Sequence, residues 1–396
     1  MAGPTSYAYA TAQTQLGIAI ETSRGTPVAP AFWVKSKDPK YTPDRTLIPD
    51  DTLQGSMVDV YSLVPGLRMD KHGWSSYPYL DSFPVYLRCL LGSADTVTAA
   101  PTATALQSAV IAGASTIPAK ASIAAGSWIV IDTGGIIETH LTTAVSGTAA
   151  PFTVTLDYPL IYGHAANATI TGLTGHQFSL LNNAGQGNQP PSATITDWDG
   201  DQWRQLAAAQ LDKLTIKGNA TGLVDYTVDW FANPSITPTT PTPTFTGIQA
   251  VPGWTFAVSI AGTQLNYVMD WEIELGRGVK PIPALQGTQE YFLYFANALT
   301  ATAKVTVVEQ SGAPQLTEFL NGTVNAIDIT CFDLTNGFAM NLHSTTSMWK
   351  TGNLIRGKEE VTAELECQML PSTADALAGG VSPIIATVAN AQATPY

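Results

Sequence analysis

Glycine, proline and threonine interrupt this chain so often that long helices have no room between them. The 33 glycines and 26 prolines leave short runs rich in Val, Ile, Thr, Tyr and Trp. Runs of that length and type suit strands, whereas a stable helix needs a longer apolar period. The reading is all-β with minor α, a β-sandwich or barrel-forming sheet. Strands are predicted over residues 214–217, 224–231, 255–260, 267–275, 303–308, 326–332, 338–343 and 361–369. One short flanking helix is predicted over residues 83–91, closed by Gly92, and a second helical signal sets Leu316, Phe319 and Leu320 on one face. Residues 202–210 read either as a turn or two of helix or as the start of the next strand.

Composition narrows the class. Hydrophobic residues are 45% of the 396, enough for a large core. Charged residues are only 12%, against about a quarter in an average soluble protein. So little charge implies surface that is buried against partner chains. Acids outnumber bases 31 to 18, for a net charge of -13, which argues against a protein that grips nucleic-acid phosphates. No apolar window is long enough to span a membrane. Residues 1–20 carry no Lys or Arg and no solid apolar run, so no secretory leader is expected. Cys89, Cys331 and Cys367 match no zinc spacing, and their odd number argues against a disulfide framework. They are read as small hydrophobes made in a reducing compartment. Without a secretory route, the sequons at Asn167, Asn219 and Asn321 have no use.

The texture changes along the chain. Residues 95–175 are rich in Ala, Thr and Gly, with strand signals at 128–132, 136–141, 152–156 and 169–171. They read as a small β domain inserted between two parts of the main one, residues 1–94 and 176–370. Residues 233–245 form a Pro/Thr tract that suits an extended spacer. Residues 371–396 are Ala-rich and nearly uncharged, and read as an arm that orders on assembly; the first residues look similar.

No catalytic constellation emerges. His72, His140, His164, His176 and His343 have neither zincin nor zinc-site spacing and are read as structural. There is no nucleophile elbow or phosphate loop, and Gly185-Gln-Gly187 precedes prolines rather than a helix. Asp197-Trp-Asp199-Gly200-Asp201 could ligate calcium but reads as a hairpin turn. No enzyme activity, metal or cofactor is predicted.

One pattern stands above background. In residues 267–275, Asp270, Glu272 and Glu274 share one strand face, opposite Met269, Trp271, Ile273 and Leu275. Residues 224–231 repeat this with Asp225 and Asp229, and residues 361–369 with Glu364 and Glu366. A half-exposed antiparallel sheet would look the same. A surface built to repel a polyanion would also concentrate acids in this way. Lys213, Lys217 and Lys280 lie close by in sequence.

The order of motifs resembles a known family. Residues 16–30, LGIAIETSRGTPVAP, followed by Phe32 and Trp33, resemble the opening of tail tube (major tail) proteins of long-tailed, siphovirus-type bacteriophages. Further likenesses are the Gly-containing segment 54–67, the helix ending at Gly92, the Ala/Thr-rich insert, and the runs at 176–180, 189–197 and 211–216. The resemblance implies a tube domain whose copies close into rings, usually of six, that stack into a hollow tail tube. Neighbouring sheets would join around a channel, typically acidic, through which DNA slides into the host without specific binding. The implied partners are further copies of the chain, a tape-measure protein, a tail terminator and distal tail proteins. The implied location is the virion tail, assembled in the host cytoplasm. The channel-lining candidates are Asp225, Asp229, Asp270, Glu272, Glu274, Glu364 and Glu366, and the insert would lie outside the tube. The alternative is a carbohydrate- or receptor-binding β-sandwich module of a phage tail or bacterial surface, with Trp128, Trp198 or Trp254 stacking on sugars. A glycosidase with paired carboxylates ranks last.

Overall fold

The computed structural model describes residues 10–52, 54–182, 187–310, 314–357, 360–377 and 379–396. Strands dominate, and the α-helices among the described residues are Pro84–Leu91 and Gln315–Asn321. The main sheet runs through Lys37–Asp50, Ser62–Ser76, Asp225–Ala232, Trp203–Asn219, Val268–Gly276, Thr300–Val308, Val361–Met369 and Ala339–Arg356. Each is hydrogen-bonded antiparallel to the next. Ala339–Arg356 pairs further with Val324–Phe332 and with Ile385–Asn390, which continues to Thr169–Ser179. The sheet does not close on itself.

Period-two alternation puts the core on one face of this sheet. Leu214, Ile216, Tyr226, Val228, Trp230, Trp271, Ile273, Leu275, Val305 and Leu365 are all buried there. The helix Pro84–Leu91 is buried at every position except Arg88. A proline begins it, and Gly92 ends it at φ 90° with its N–H on the Arg88 carbonyl. Tyr226 and Tyr86 meet hydroxyl to hydroxyl at 3.0 Å, and Trp74 stacks on Trp230 at 6.0 Å between ring centroids.

The N-terminal motif has a physical role at several positions. Strand Gln15–Ile20 lies between Phe32–Val34 and Ala193–Trp198, with Leu16 and Ile18 in the core. A Cβ on Gly17 would come within 2.7 Å of the Pro30 side chain, so the returning segment demands glycine. The buried Glu21 carboxylate accepts from the Ser192 and Thr194 hydroxyls and from the Gly25 and Ala208 N–H groups. Gly25 turns the chain there at φ 78°.

Of the two readings of residues 202–210 the strand holds, as the first half of Trp203–Asn219. Other expectations need correction. The strand expected at 338–343 runs on to Arg356, because Val361–Met369 supplies a partner for its polar second half. The longest projecting element escaped notice: Lys37–Asp50 and Ser62–Ser76 form one hairpin, interrupted in sequence by Pro43, Pro49 and Pro65. Residues 371–396 are not a loose arm here, because Ile385–Asn390 is paired on both sides and Tyr396 stacks on Phe32. The expectation for residues 1–9 lies outside the described residues.

Residues 95–175 build a separate apolar cluster from Leu106, Ile117, Ile129, Ile131, Val154, Leu156 and Ile170. Their last strand does not stop at 175. Thr169–Ser179 pairs with Trp128–Ile131 through its first half and with Ile385–Asn390 through its second.

Candidate functional site

The three acidic strands lie in the same sheet, separated by strands that carry lysines. Across the outer face the columns read Asp225 and Asp229, then Lys213 and Lys217, then Asp270, Glu272 and Glu274, then Lys304, then Glu364 and Glu366, then Lys350. The register sets unlike charges opposite one another: Lys213 faces Asp229, Lys217 faces both Asp225 and Glu272, and Lys304 faces both Glu272 and Glu366. Acidic columns placed side by side would repel, and the interposed lysines remove that cost.

The contacts are those of a half-solvated surface. Lys213 Nζ lies 2.8 Å from Glu274, Lys304 Nζ 3.6 Å from Glu272, and Lys350 Nζ 3.7 Å from Glu366. The Thr306 hydroxyl donates to Asp270 at 2.7 Å. Lys37 pairs with Asp225; burial alone would lower the Lys37 pKa, but the bonds to Asp225 and Tyr77 outweigh it and raise it. Asp229 and Glu364 have no ion pair among the described residues. A shallow cleft of ≈ 360 Å³ between these strands is lined by Asp270, Glu272, Lys304, Glu364 and Glu366. The seven predicted acids therefore share one face with Lys213, Lys217, Lys304 and Lys350, and Lys37 reaches Asp225 from the neighbouring hairpin. Lys280 lies elsewhere, in a separate two-stranded ladder with Leu293–Phe295. Met269, expected on the core face, is exposed because a bulge between Val268 and Asp270 leaves it outside the register.

Other singled-out residues fall into structural places. Asp199 accepts from the Asp201 and Gln202 N–H groups at 2.9 Å and pairs with Arg204, so turn and cation occupy its carboxylate. The His72 Nε2 atom lies 3.2 Å from Asp197 Oδ2 without hydrogen-bond alignment. His176 bridges Asp95 and the Gln392 carbonyl, and His343 sits beside Asp328 at 2.6 Å. All three cysteines are buried and unpaired, and burial pushes the Cys89 and Cys367 thiols up to about 12. Trp128 is a core residue and Trp198 packs on Trp203, while Trp254 is exposed. Among the described residues no group of three or more His, Cys, Asp or Glu is placed to hold a metal ion.

Two features were missed in sequence. One is a buried chain of ionisable groups in the 95–175 region. Glu138 bridges His140 (3.1 Å) and His164 (2.5 Å), which reach on to Asp157 and Asp132, each at 3.2 Å. Only the 138–140 alternation hinted at it. The other is the outer half of the long hairpin, where Leu47, Ile48, Val58, Leu63 and Val64 are all more than half or nearly half exposed.

A family model described as phage tail tube protein matches residues 11–369. No curated protein matches the chain.

Proposed function

The chain belongs to the phage tail tube protein family, and on that premise we propose that its copies close into rings that stack into the hollow tail of a siphovirus-type phage. As a member of that family it is a structural component of the virion tail that assembles with further tail components. The observation that carries the ring reading is the open main sheet with its projecting hairpin. Strand Lys37–Asp50 leaves an unpaired edge, and the hairpin beyond it exposes Leu47, Ile48, Leu63 and Val64 to solvent. Exposed apolar surface of this kind invites burial against another chain, and a ring supplies one.

Within that reading the acid-bearing face lines the channel. The seven carboxylates outnumber the five lysines that face or pair with them, Lys37 included, and repetition around a ring turns the excess into bands. Passing DNA is then repelled rather than held. The 95–175 region decorates the exterior. Tape-measure, terminator and distal tail proteins are the further partners, met during assembly in the host cytoplasm.

Electron microscopy of the purified chain at rising concentration tests the ring reading. Rings or hollow tubes are expected; compact monomers throughout, even with a nucleating tail tip added, overturn it. Replacing Asp270, Glu272 and Glu274 with Lys tests the channel. Virions carrying that variant should eject DNA slowly, and normal ejection would move the channel to another face.

A further inference from the structure

Arg277 carries a charge that the fold buries and leaves uncompensated. It directly follows the strand Val268–Gly276 and is 3% exposed. Its backbone is pinned on both sides. The N–H donates to the Asp212 carbonyl at 2.7 Å, and the carbonyl accepts the Asn297 N–H at 2.9 Å. The side chain is held as well, with Nη1 donating to the Asn297 carbonyl at 3.2 Å. Nε and Nη2 have no hydrogen-bond partner among the described residues. Burial alone pulls the pKa down to about 10, so the group is still a cation at neutral pH. No acid among the described residues is set against it. A buried cation in that position costs several kcal/mol unless an anion meets it.

The two unpartnered nitrogens are the ones that recognition uses. Nε–H and the Nη2–H beside it point in parallel along one edge of the guanidinium, and a two-oxygen anion bridges that edge. Nη1, at the other corner, is the atom by which the fold holds the group in place. Arg277 also lines a cleft of ≈ 570 Å³, and among the described residues that line it there is no other cation and no acid. The amide side chains of the cleft are occupied. Asn182, Gln189 and Gln368 donate to the carbonyls of Val381, Ala296 and Ala301. Leu181, Phe295, Leu299 and Met369 supply apolar wall.

The class of ligand follows from charge and shape. One cation is neutralised by one negative charge. A phosphate dianion would exchange an unmet positive charge for an unmet negative one in the same low-dielectric setting. A carboxylate fits both the single charge and the two-pronged edge, and the apolar walls suit an apolar body behind it.

We propose that this cleft is a carboxylate-binding site, in which the Nε and Nη2 edge of Arg277 takes a monoanionic carboxylate carried on an apolar group. A free organic acid and the carboxylate of an apolar peptide share this chemistry. The site lies within one chain, so it stands or falls independently of ring formation.

Phenylacetate is the probe, added to the unassembled full-length chain. Phenylacetamide is its neutral counterpart, and inorganic phosphate is the doubly charged oxyanion. Phenylacetate should raise the melting temperature with a saturable dependence on concentration, and by calorimetric titration it should bind at least about tenfold tighter than either control. Arg277→Met should abolish that binding. Its own melting temperature should equal or exceed the parent's, because an apolar side chain of similar length removes an unpaired buried charge. Ala298→Trp changes an exposed lining position, fills the cleft with Arg277 intact, and should abolish binding too. It decides the matter by itself if Arg277→Met does not fold. No binding of phenylacetate to the parent overturns the proposal. So does binding that survives either folded variant, or binding no tighter than that of phosphate. The peptide acetyl-Ala-Ala-Phe, with its C-terminus free or amidated, then separates the two sources. A free-acid peptide that binds about tenfold tighter than phenylacetate assigns the site to a partner chain, and one that binds no tighter assigns it to a free acid.

Discussion

Two regions of this molecule concentrate carboxylates, and water treats them in opposite ways. On the outer face of the main sheet, seven acids stand in columns between lysines, half solvated, with ion pairs from 2.5 to 3.7 Å. In the 95–175 region, Glu138, Asp132 and Asp157 are strung between His140 and His164, whose side chains have no exposure. On the sheet, each charge keeps its hydration and each pair is worth little. In the buried chain, the groups have given up water and each depends on its partner. Equal residue types thus serve a surface field in one place and local fold in the other.

The comparison breaks most visibly at Glu138. Its carboxylate meets both imidazoles and accepts the Ile161 and Tyr162 N–H groups, at 2.7 and 3.1 Å. Glu138→Ala should cost about 3–5 kcal/mol, since it strands two buried imidazoles. Hydrogen exchange over 95–175 reads the loss, and unchanged protection there would show that the chain of charges is not what holds this region.

Glu21 offers a buried carboxylate whose hydrogen bonds all come from neutral donors, with Arg24 beside it but not bonded to it. Glu21→Ala leaves four donors without an acceptor and should cost about 2–3 kcal/mol or more, read as a fall in melting temperature. A smaller loss than for Glu138 would fit hydrogen bonding rather than charge.

pH sharpens the contrast next. Burial alone would raise the Glu138 pKa, but bonds to His140 and His164 and the backbone N–H of Ile161 bring it from the ordinary 4.5 down to about 2. Burial alone would lower both imidazoles, yet their carboxylate partners outweigh it and raise His140 and His164 above the ordinary 6.5. A depressed acid stabilises above its unfolded value, and that stability is lost as pH falls from 4.5 toward about 2. A raised histidine stabilises fully below 6.5 and loses that stability as pH climbs through its folded value. Protection of 95–175 should therefore be greatest between about pH 5 and 6.5 and fall on both sides. A flat profile by exchange would contradict the linkage.

The smallest effect belongs to the sheet. Glu272→Gln or Lys304→Gln should shift stability by less than about 0.5 kcal/mol, within the range for exposed pairs. A shift above 2 kcal/mol in a denaturant titration would mean that this face is desolvated even in the isolated chain.

Much of the architecture was legible because alternation is a local property. Each acid in 225–232, 268–276 and 361–369 could be assigned to a face from its neighbours alone, and the structure puts all seven on the outer one. The fixed residues of the motif at 16–30 were visible too, although the four donors gathered by Glu21 were not. Ile385–Asn390 was hidden by its alanines, and Lys37–Asp50 by its prolines, because both become strands through partners distant in sequence. The bulge that expels Met269 likewise exists only against Thr300–Val308.

By itself, then, the sequence determined the all-β class, the helix that Gly92 closes and the side of each acidic strand, since those follow from period and local sterics. Tertiary structure decided which columns stand beside which, that lysines separate the acids, and that two histidines share one glutamate. Those depend on register and on burial, which arise between segments far apart in the chain.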